Sequence, residues 1–335
     1  MIDLKNKTIL VTGGAGFIGS HLVERLAADN EVYVMDALYS GAVVNIEQPL
    51  QSGKVRLIID DVRNISKYKI APDIVFHFGA YSSSQMYRDN PHLMAFAIDG
   101  MLSVLEYIKE RKIPLVFASV ATAYGDDAVI PSVELSDVGC GIHSQTYAVC
   151  EKLAADYSNW YGLDITVMRM FSIYGPREEA KGQYASAVTQ FVALMKRGQT
   201  PAIYGDGTQR RDFVYVSDAV DAAILAATKV SGYNVYSVAT GVETSLIDLV
   251  ALINEIQKTG IKIASMSHQT PGHIRRALAD TARVESILGF KASVNLEDGV
   301  KRVLEYTKVT GQRGISEQLD VSDSVKIDIV RGGNT

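Results

Sequence analysis

The chain has 335 residues, 47% hydrophobic and 21% charged, which gives enough apolar material for a sizeable core and too much for a disordered protein. Lys+Arg 33 against Asp+Glu 38 leave a formal charge of −5, so no basic surplus exists to hold a nucleic-acid backbone. Two cysteines, Cys140 and Cys150, are too few for a disulfide framework or a zinc site and point to a reducing, cytoplasmic compartment; no secretory signal and no membrane span are expected.

Along the first half, short β-branched runs alternate with longer amphipathic ones. Thr8 to Val11 reads as a strand, Phe17 to Ala28 as a helix and Glu31 to Met35 as a second strand. Val55 to Ile59, Ile74 to Phe78, Leu115 to Ala118 and Ile165 to Met168 are further buried-strand candidates. Leu93 to Lys112 and Thr146 to Tyr161 have helical length and period. Strands alternating with helices predict an α/β fold, a doubly wound parallel sheet covered on both faces. After about Phe171 the rhythm changes, with helices expected at Tyr184 to Lys196, Ser217 to Thr228, Ser245 to Lys258 and Leu296 to Thr307. The polar stretch 311–335 reads as a loosely docked tail, with a late edge strand at Val325 to Val330 as the alternative.

The first strand runs into Gly13-Gly14-Ala15-Gly16-Phe17-Ile18-Gly19, which opens the first helix, and Asp36 ends the second strand. In that context the glycines read as a dinucleotide fingerprint. Gly13 permits the sharp turn, Gly16 lets the backbone approach a diphosphate, and Gly19 lets the helix pack closely on the sheet. Asp36 would accept hydrogen bonds from the adenosine ribose hydroxyls and repel a 2′-phosphate, so NAD is expected rather than NADP.

With its flanks, Thr12 to Leu22 resembles the opening of the extended short-chain dehydrogenase/reductases, and most closely the NAD-dependent sugar-nucleotide epimerases and dehydratases of the UDP-glucose 4-epimerase type. Four more segments carry the resemblance: Ile59-Asp60-Asp61-Val62-Arg63, Val75 to Ala80, Arg169 to Pro176, and Ile203 to Val216 with its Tyr204-Gly205-Asp206-Gly207 turn. It covers residues from about 7 to 308. It implies a Rossmann sheet with a smaller C-terminal substrate domain: residues 1–171 with about 212–240 for NAD, and 172–211 with about 241–310 for a nucleotide sugar, most simply a UDP-sugar. It places Phe17, Ile18, Asp61, Val62, Phe78, Gly79 and Ala80 along the cofactor. It places Ser172, Arg211 and Arg276 on the substrate, with Arg211 on its diphosphate. It also implies a homodimer built from the Leu93–Lys112 and Thr146–Tyr161 helices, to which Leu102, Leu105, Ile108, Leu153 and Tyr157 would offer apolar surface; burial against the sheet is the alternative.

Epimerases of this family use a Ser or Thr, a Tyr, and a Lys four residues after the Tyr, one helical turn along the same face. This segment reads His143-Ser144-Gln145-Thr146-Tyr147-Ala148-Val149-Cys150-Glu151-Lys152. In one register Tyr147 is the family tyrosine; Glu151 then takes the lysine place, and Lys152 falls about 100° off the shared face. In the other, counted back without gaps from Tyr161-Gly162, His143 takes the tyrosine place and Tyr147 the lysine place, where it would also meet the nicotinamide ribose. The gap-free count keeps the helical period and is preferred. The Ser/Thr place falls on Val120, flanked by Ser119 and Thr122 as substitutes, and two helper asparagines fall on Ala97 and Ser172.

His143, ordinarily titrating near 6.5, is the expected proton carrier; the alternative is that His143 and Tyr147 merely line a binding site. A Glu151 carboxylate beside Tyr147 would raise its pKa. Cys140 near this segment reads as inert. Ala121-Thr122-Ala123 has no carboxylate to assist dehydration or decarboxylation, which leaves epimerisation the least contradicted chemistry. A binding protein that keeps NAD, or an oxidoreductase acting on another small molecule, remain open.

Overall fold

In a computed structural model, the structure describes residues 3–124, 129–130, 141–266 and 275–310. Cys140, the expected tail and Val325–Val330 lie outside the described residues.

Five strands form the first part of the main sheet: β1 (Thr8–Thr12), β2 (Glu31–Asp36), β3 (Val55–Ile59), β4 (Ile74–His77) and β5 (Leu115–Val120). Ile165–Met170 and Tyr233–Val238 complete it, in the order Tyr233–Val238, Ile165–Met170, β5, β4, β1, β2, β3. Every pairing in it is parallel. Ile9, Leu10 and Val11 are all buried, as a strand covered on both faces requires. The first helix, α1 (Phe17–Leu26), packs beside the helix Val216–Thr228 on one face. Val216–Thr228 buries Ala219, Ala222, Ala223, Ala226 and Ala227, small side chains that let it sit close. The helices Leu93–Lys109 and Ile142–Tyr161 pack together on the other face.

A smaller sheet stands at the strand ends. Arg210–Tyr215 is antiparallel to Glu243–Ser245 and parallel to Arg276–Ala279 and Ser172–Tyr174. Among the described residues no helix is long and apolar enough to cross a membrane.

Three differences from the sequence expectations have local causes. Tyr233–Val238 is the edge strand of the main sheet, but Asn234 and Ser237 interrupt its apolar run. The helix expected from Tyr184 starts at Ala187, because Ser186 caps it by accepting a hydrogen bond from the Thr189 N–H; Glu178–Tyr184 forms separate 3₁₀ turns. The helix expected from Thr146 starts four residues earlier, at Ile142, and runs unbroken to Tyr161, where Gly162 (φ +64°) ends it. His143 and Tyr147 therefore share one continuous helix.

Candidate active site

A cleft of about 800 Å³ opens across the strand ends between the two sheets. The glycine turn forms its floor. Gly13 has φ +69°, and a Cβ there would lie 2.5 Å from Gly79 Cα, so this position admits only glycine. A Cβ on Gly19 would lie 2.1 Å from the Gly13 carbonyl oxygen, which fixes how closely α1 approaches the turn. Gly16 precedes α1 with extended backbone, and no side chain caps the helix. The first N–H groups of α1, on Phe17, Ile18 and Gly19, are thus offered to a ligand anion.

Asp36 is buried at the end of β2. Its Oδ2 accepts from the Ala15 N–H at 2.9 Å and its Oδ1 from the Leu38 N–H at 2.8 Å. Burial raises its pKa, and these backbone donors oppose the rise. A rigid buried carboxylate beside the glycine turn fits a ribose diol and disfavours an added phosphate. Asp61 accepts hydrogen bonds from the Arg63 N–H, Nε and Nη2, each at 2.9 Å, which lowers its pKa, and the Arg63 guanidinium lies over the Phe96 ring. Val62 is close enough to the helix Leu93–Lys109 that a Cβ on Gly100 would meet it at 2.9 Å. Phe78, Gly79 and Ala80 leave β4 along the same wall. These features fit a dinucleotide: an uncapped helix start for its diphosphate, a buried acid for its ribose, and Asp61 and Val62 beside its base.

His143, Tyr147, Thr122 and Ser119 all border the cleft, but in different ways. The buried His143 ring has its Nδ1 3.3 Å from both Thr122 Oγ1 and Ser84 Oγ, while its Nε2 is enclosed and has no hydrogen-bond partner among the described residues. Burial pulls its pKa down to about 4, which corrects the ordinary value expected from sequence. Ser84 was missed: it sits in a run of three serines with no periodic signal.

Tyr147 stands edge-on to His143, with ring centroids 5.2 Å apart, and its hydroxyl donates to the Tyr81 carbonyl at 3.3 Å. Its pKa lies well above the ordinary value because of burial, with Tyr87 and Cys150 adding to the shift. Glu151, which the sequence points at Tyr147, is not the cause. That carboxylate turns the other way, into a buried ion pair with Arg169 at 2.6 Å. Ser119 donates to the same carboxylate at 2.5 Å, so its proton is committed to Glu151 and not to a substrate. Lys152 points to solvent, with 68% of its side chain exposed, and pairs with Asp156 at 2.8 Å. No Tyr147–Lys152 pair forms.

On the opposite wall, Ser172, Arg211 and Arg276 border the cleft. Arg210 is exposed and lies 3.7 Å from Glu243. Arg276 makes a two-point pair with Glu243 at 2.6 and 3.1 Å, and Arg211 Nη1 donates to the Arg210 carbonyl at 2.8 Å. Of the residues expected at a dimer face, Leu105 and Ile108 are wholly buried within the chain, because they pack against the sheet; Leu102, Leu153 and Tyr157 are partly exposed.

Residues 9–239 match the NAD dependent epimerase/dehydratase family. The chain is 32% identical over 306 residues to a putative UDP-glucose 4-epimerase of Methanocaldococcus jannaschii, covering 90% of this chain and 98% of that one. It is 29% identical over 304 residues to UDP-glucuronic acid decarboxylase 6 of Arabidopsis thaliana, covering 88% and 87%. The UDP-N-acetylglucosamine 4-epimerase of Methanobrevibacter ruminantium, solved with UDP-N-acetylmuramic acid, superposes with a TM-score of 0.85 at 30% identity, covering 91% of this chain and 99% of that one. The cofactor is NAD, and the chain belongs to the NAD-dependent epimerase/dehydratase family of nucleotide-sugar enzymes.

Proposed function

We propose that this protein is an NAD-dependent epimerase of a nucleotide sugar, of the 4-epimerase type, in which His143 and the hydroxyls on its Nδ1 handle the proton. The carrying observation is the shared 3.3 Å approach of Ser84 Oγ and Thr122 Oγ1 to one buried imidazole nitrogen. Bound NAD supplies a reversible hydride acceptor. The protein must then take a proton from the sugar hydroxyl and later return it. A hydroxyl on the cleft wall accepts that proton while passing its own to the Nδ1 lone pair, and the return step reverses both transfers. Arg211 offers the sugar nucleotide's diphosphate a bidentate guanidinium from the opposite wall. A UDP-sugar is the substrate class favoured by the relatives' names. Ala121-Thr122-Ala123 brings no carboxylate to the site, which disfavours the decarboxylase chemistry that another relative's name carries.

A second reading is a protein that binds NAD and a nucleotide sugar without turnover. The imidazole's low basicity and the missing cation beside Tyr147 favour it. Absorbance of the dihydronicotinamide separates the two. Under the epimerase reading, adding UDP-sugars to the NAD-loaded protein reduces bound NAD, with no net release of NADH. A spectrum that never changes across UDP-hexoses and UDP-N-acetylhexosamines leaves the binding reading. Net accumulation of free NADH marks a simple oxidoreductase instead.

We also propose that two copies associate through the helices Leu93–Lys109 and Ile142–Tyr161. Phe96, Val149, Trp160 and Tyr161 are exposed there, and Tyr157, Trp160 and Tyr161 form one aromatic group. Light scattering at micromolar protein should give twice the chain mass, and a monomeric mass overturns this.

A further inference from the structure

We infer that Lys181, carried by the segment next to the substrate wall, is a charge partner of the NAD diphosphate. The residues that bring it there lie along α1. The ring Nε2 of His21 on α1 is 3.0 Å from the Pro176 carbonyl oxygen, and Arg177 Nη2 pairs with Glu24 of α1 at 2.5 Å. Arg177 itself has φ +71°, in the left-handed region, so the chain turns sharply as it passes over the helix. Lys181 follows one turn later, with its Nζ 4.9 Å from the centroid of the Phe17 ring. Phe17 is the first residue of α1, directly after the Gly13–Gly16 turn. Lys181, Phe17 and Gly16 all border the same cleft.

The lysine is poorly matched to its protein partners. Its side chain is only 14% exposed, and its ion pair with Glu178 spans 3.8 Å, beyond hydrogen-bond length. Glu178 is already occupied, since it accepts from the Ser186 N–H at 3.0 Å, Ser186 Oγ at 2.7 Å and Thr189 Oγ1 at 2.5 Å. A largely buried ammonium whose one counter-ion among the described residues stands 3.8 Å away is costly. Burial accordingly lowers its pKa, with Glu178 opposing. An anion at the uncapped start of α1 would supply what Glu178 does not, through a charge-assisted hydrogen bond added to the backbone N–H groups.

Two ligands of this cleft carry a diphosphate, and the position of Lys181 chooses between them. Arg211 and Arg276 stand on the smaller sheet, on the substrate wall, whereas Lys181 lies against Phe17, at the glycine turn. The inference is independent of which reaction the site performs, because it concerns NAD binding alone. It also gives the cofactor a contact on the segment leading to Tyr184 and Ser186, residues that line the same cleft.

The test uses the full chain freed of nucleotide, titrated calorimetrically with NAD and, separately, with UDP. Lys181→Met keeps the apolar stem over Phe17 and removes the charge. It should weaken NAD binding by about 10- to 100-fold, the range for losing a hydrogen bond to a charged group. UDP binding should change by less than about twofold, within the scatter of a surface charge effect. Lys181→Arg should restore most of the NAD affinity. The salt dependence of NAD binding should also flatten in Lys181→Met. Unchanged NAD affinity in Lys181→Met overturns the inference, and so does a loss of UDP affinity equal to the loss for NAD. Should Lys181→Met fold poorly, the Lys181→Arg titration and the wild-type salt slope still decide: a salt-independent NAD affinity overturns it.

Discussion

Replacing His143 with alanine should lower kcat by about 10²–10⁴-fold, the usual weight of one general acid–base group, while NAD still binds. The His143 Nδ1 faces Thr122 and Ser84, whereas the glycine turn and Asp36 form the diphosphate and ribose end of the cleft, so NAD binding should be largely retained. Thr122→Ala and Ser84→Ala should each reduce kcat less than His143→Ala, since each hydroxyl leaves the other on Nδ1. The pH profile is the sharper readout. A solvated imidazole would bend the rate near 6.5, but burial moves this one to about 4. The neutral ring that accepts the proton therefore persists as pH falls through 6.5, and kcat/KM should drop only on approaching about 4. Stability has the same linkage. A folded-state pKa below the ordinary value makes protonation favour unfolding, so the contribution is full above 6.5 and is lost as pH falls from 6.5 through about 4. His77, buried and also pulled down to about 4, acts in the same window, so the rate must be read faster than the protein unfolds. A bend near 6.5, or full activity in His143→Ala, removes His143 from the chemistry. Loss of turnover in Lys152→Ala would return the proton step to a tyrosine–lysine pair.

The parts of the site legible in the sequence are those set by local chemistry. Gly13 and Gly19 announce themselves because a Cβ at either would collide with neighbouring backbone, and Asp36 because it ends a strand beside that turn. The helical period placed His143 and Tyr147 on one face, and the unbroken helix from Ile142 to Tyr161 keeps them there. What the sequence could not show depends on partners far along the chain. Ser84 meets His143 from 59 residues away, and nothing in Ser82-Ser83-Ser84 distinguishes it. The depth of His143, and hence its low basicity, follows from packing against Tyr87 and Tyr147. The edge strand Tyr233–Val238 escaped because a strand at the sheet margin tolerates Asn234 and Ser237, which blur its apolar run. A carboxylate four residues along a helix normally faces its neighbour, so the sequence alone points Glu151 at Tyr147. The pairing that turns it away crosses to the strand Ile165–Met170.

That pairing carries the largest expected effect on stability. Arg169→Leu should destabilise the fold by about 3–5 kcal/mol, because it strands the Glu151 carboxylate in the interior with its counter-charge gone. Both side chains are 1% exposed, and the guanidinium gives Glu151 three contacts, at 2.6, 3.0 and 3.1 Å. Ser119 adds one more hydrogen bond, too little to replace a cation. The Arg169 guanidinium also lies over the Tyr124 ring at 4.1 Å, and the Tyr124 hydroxyl lies 2.8 Å from Ser237 Oγ. The ion pair thus braces the turn Ala121–Tyr124 that presents Thr122 to His143. Activity measured well below the unfolding midpoint should fall as well, because a displaced Thr122 loses its place on Nδ1. The double variant Glu151→Leu with Arg169→Leu separates charge from packing. Two apolar side chains leave no buried ion, so the double variant should be more stable than Arg169→Leu alone. Urea denaturation reads all three proteins through the shift in midpoint. A single variant that costs less than about 1 kcal/mol, as an exposed pair would, shows that water reaches Glu151 and that the brace is not there.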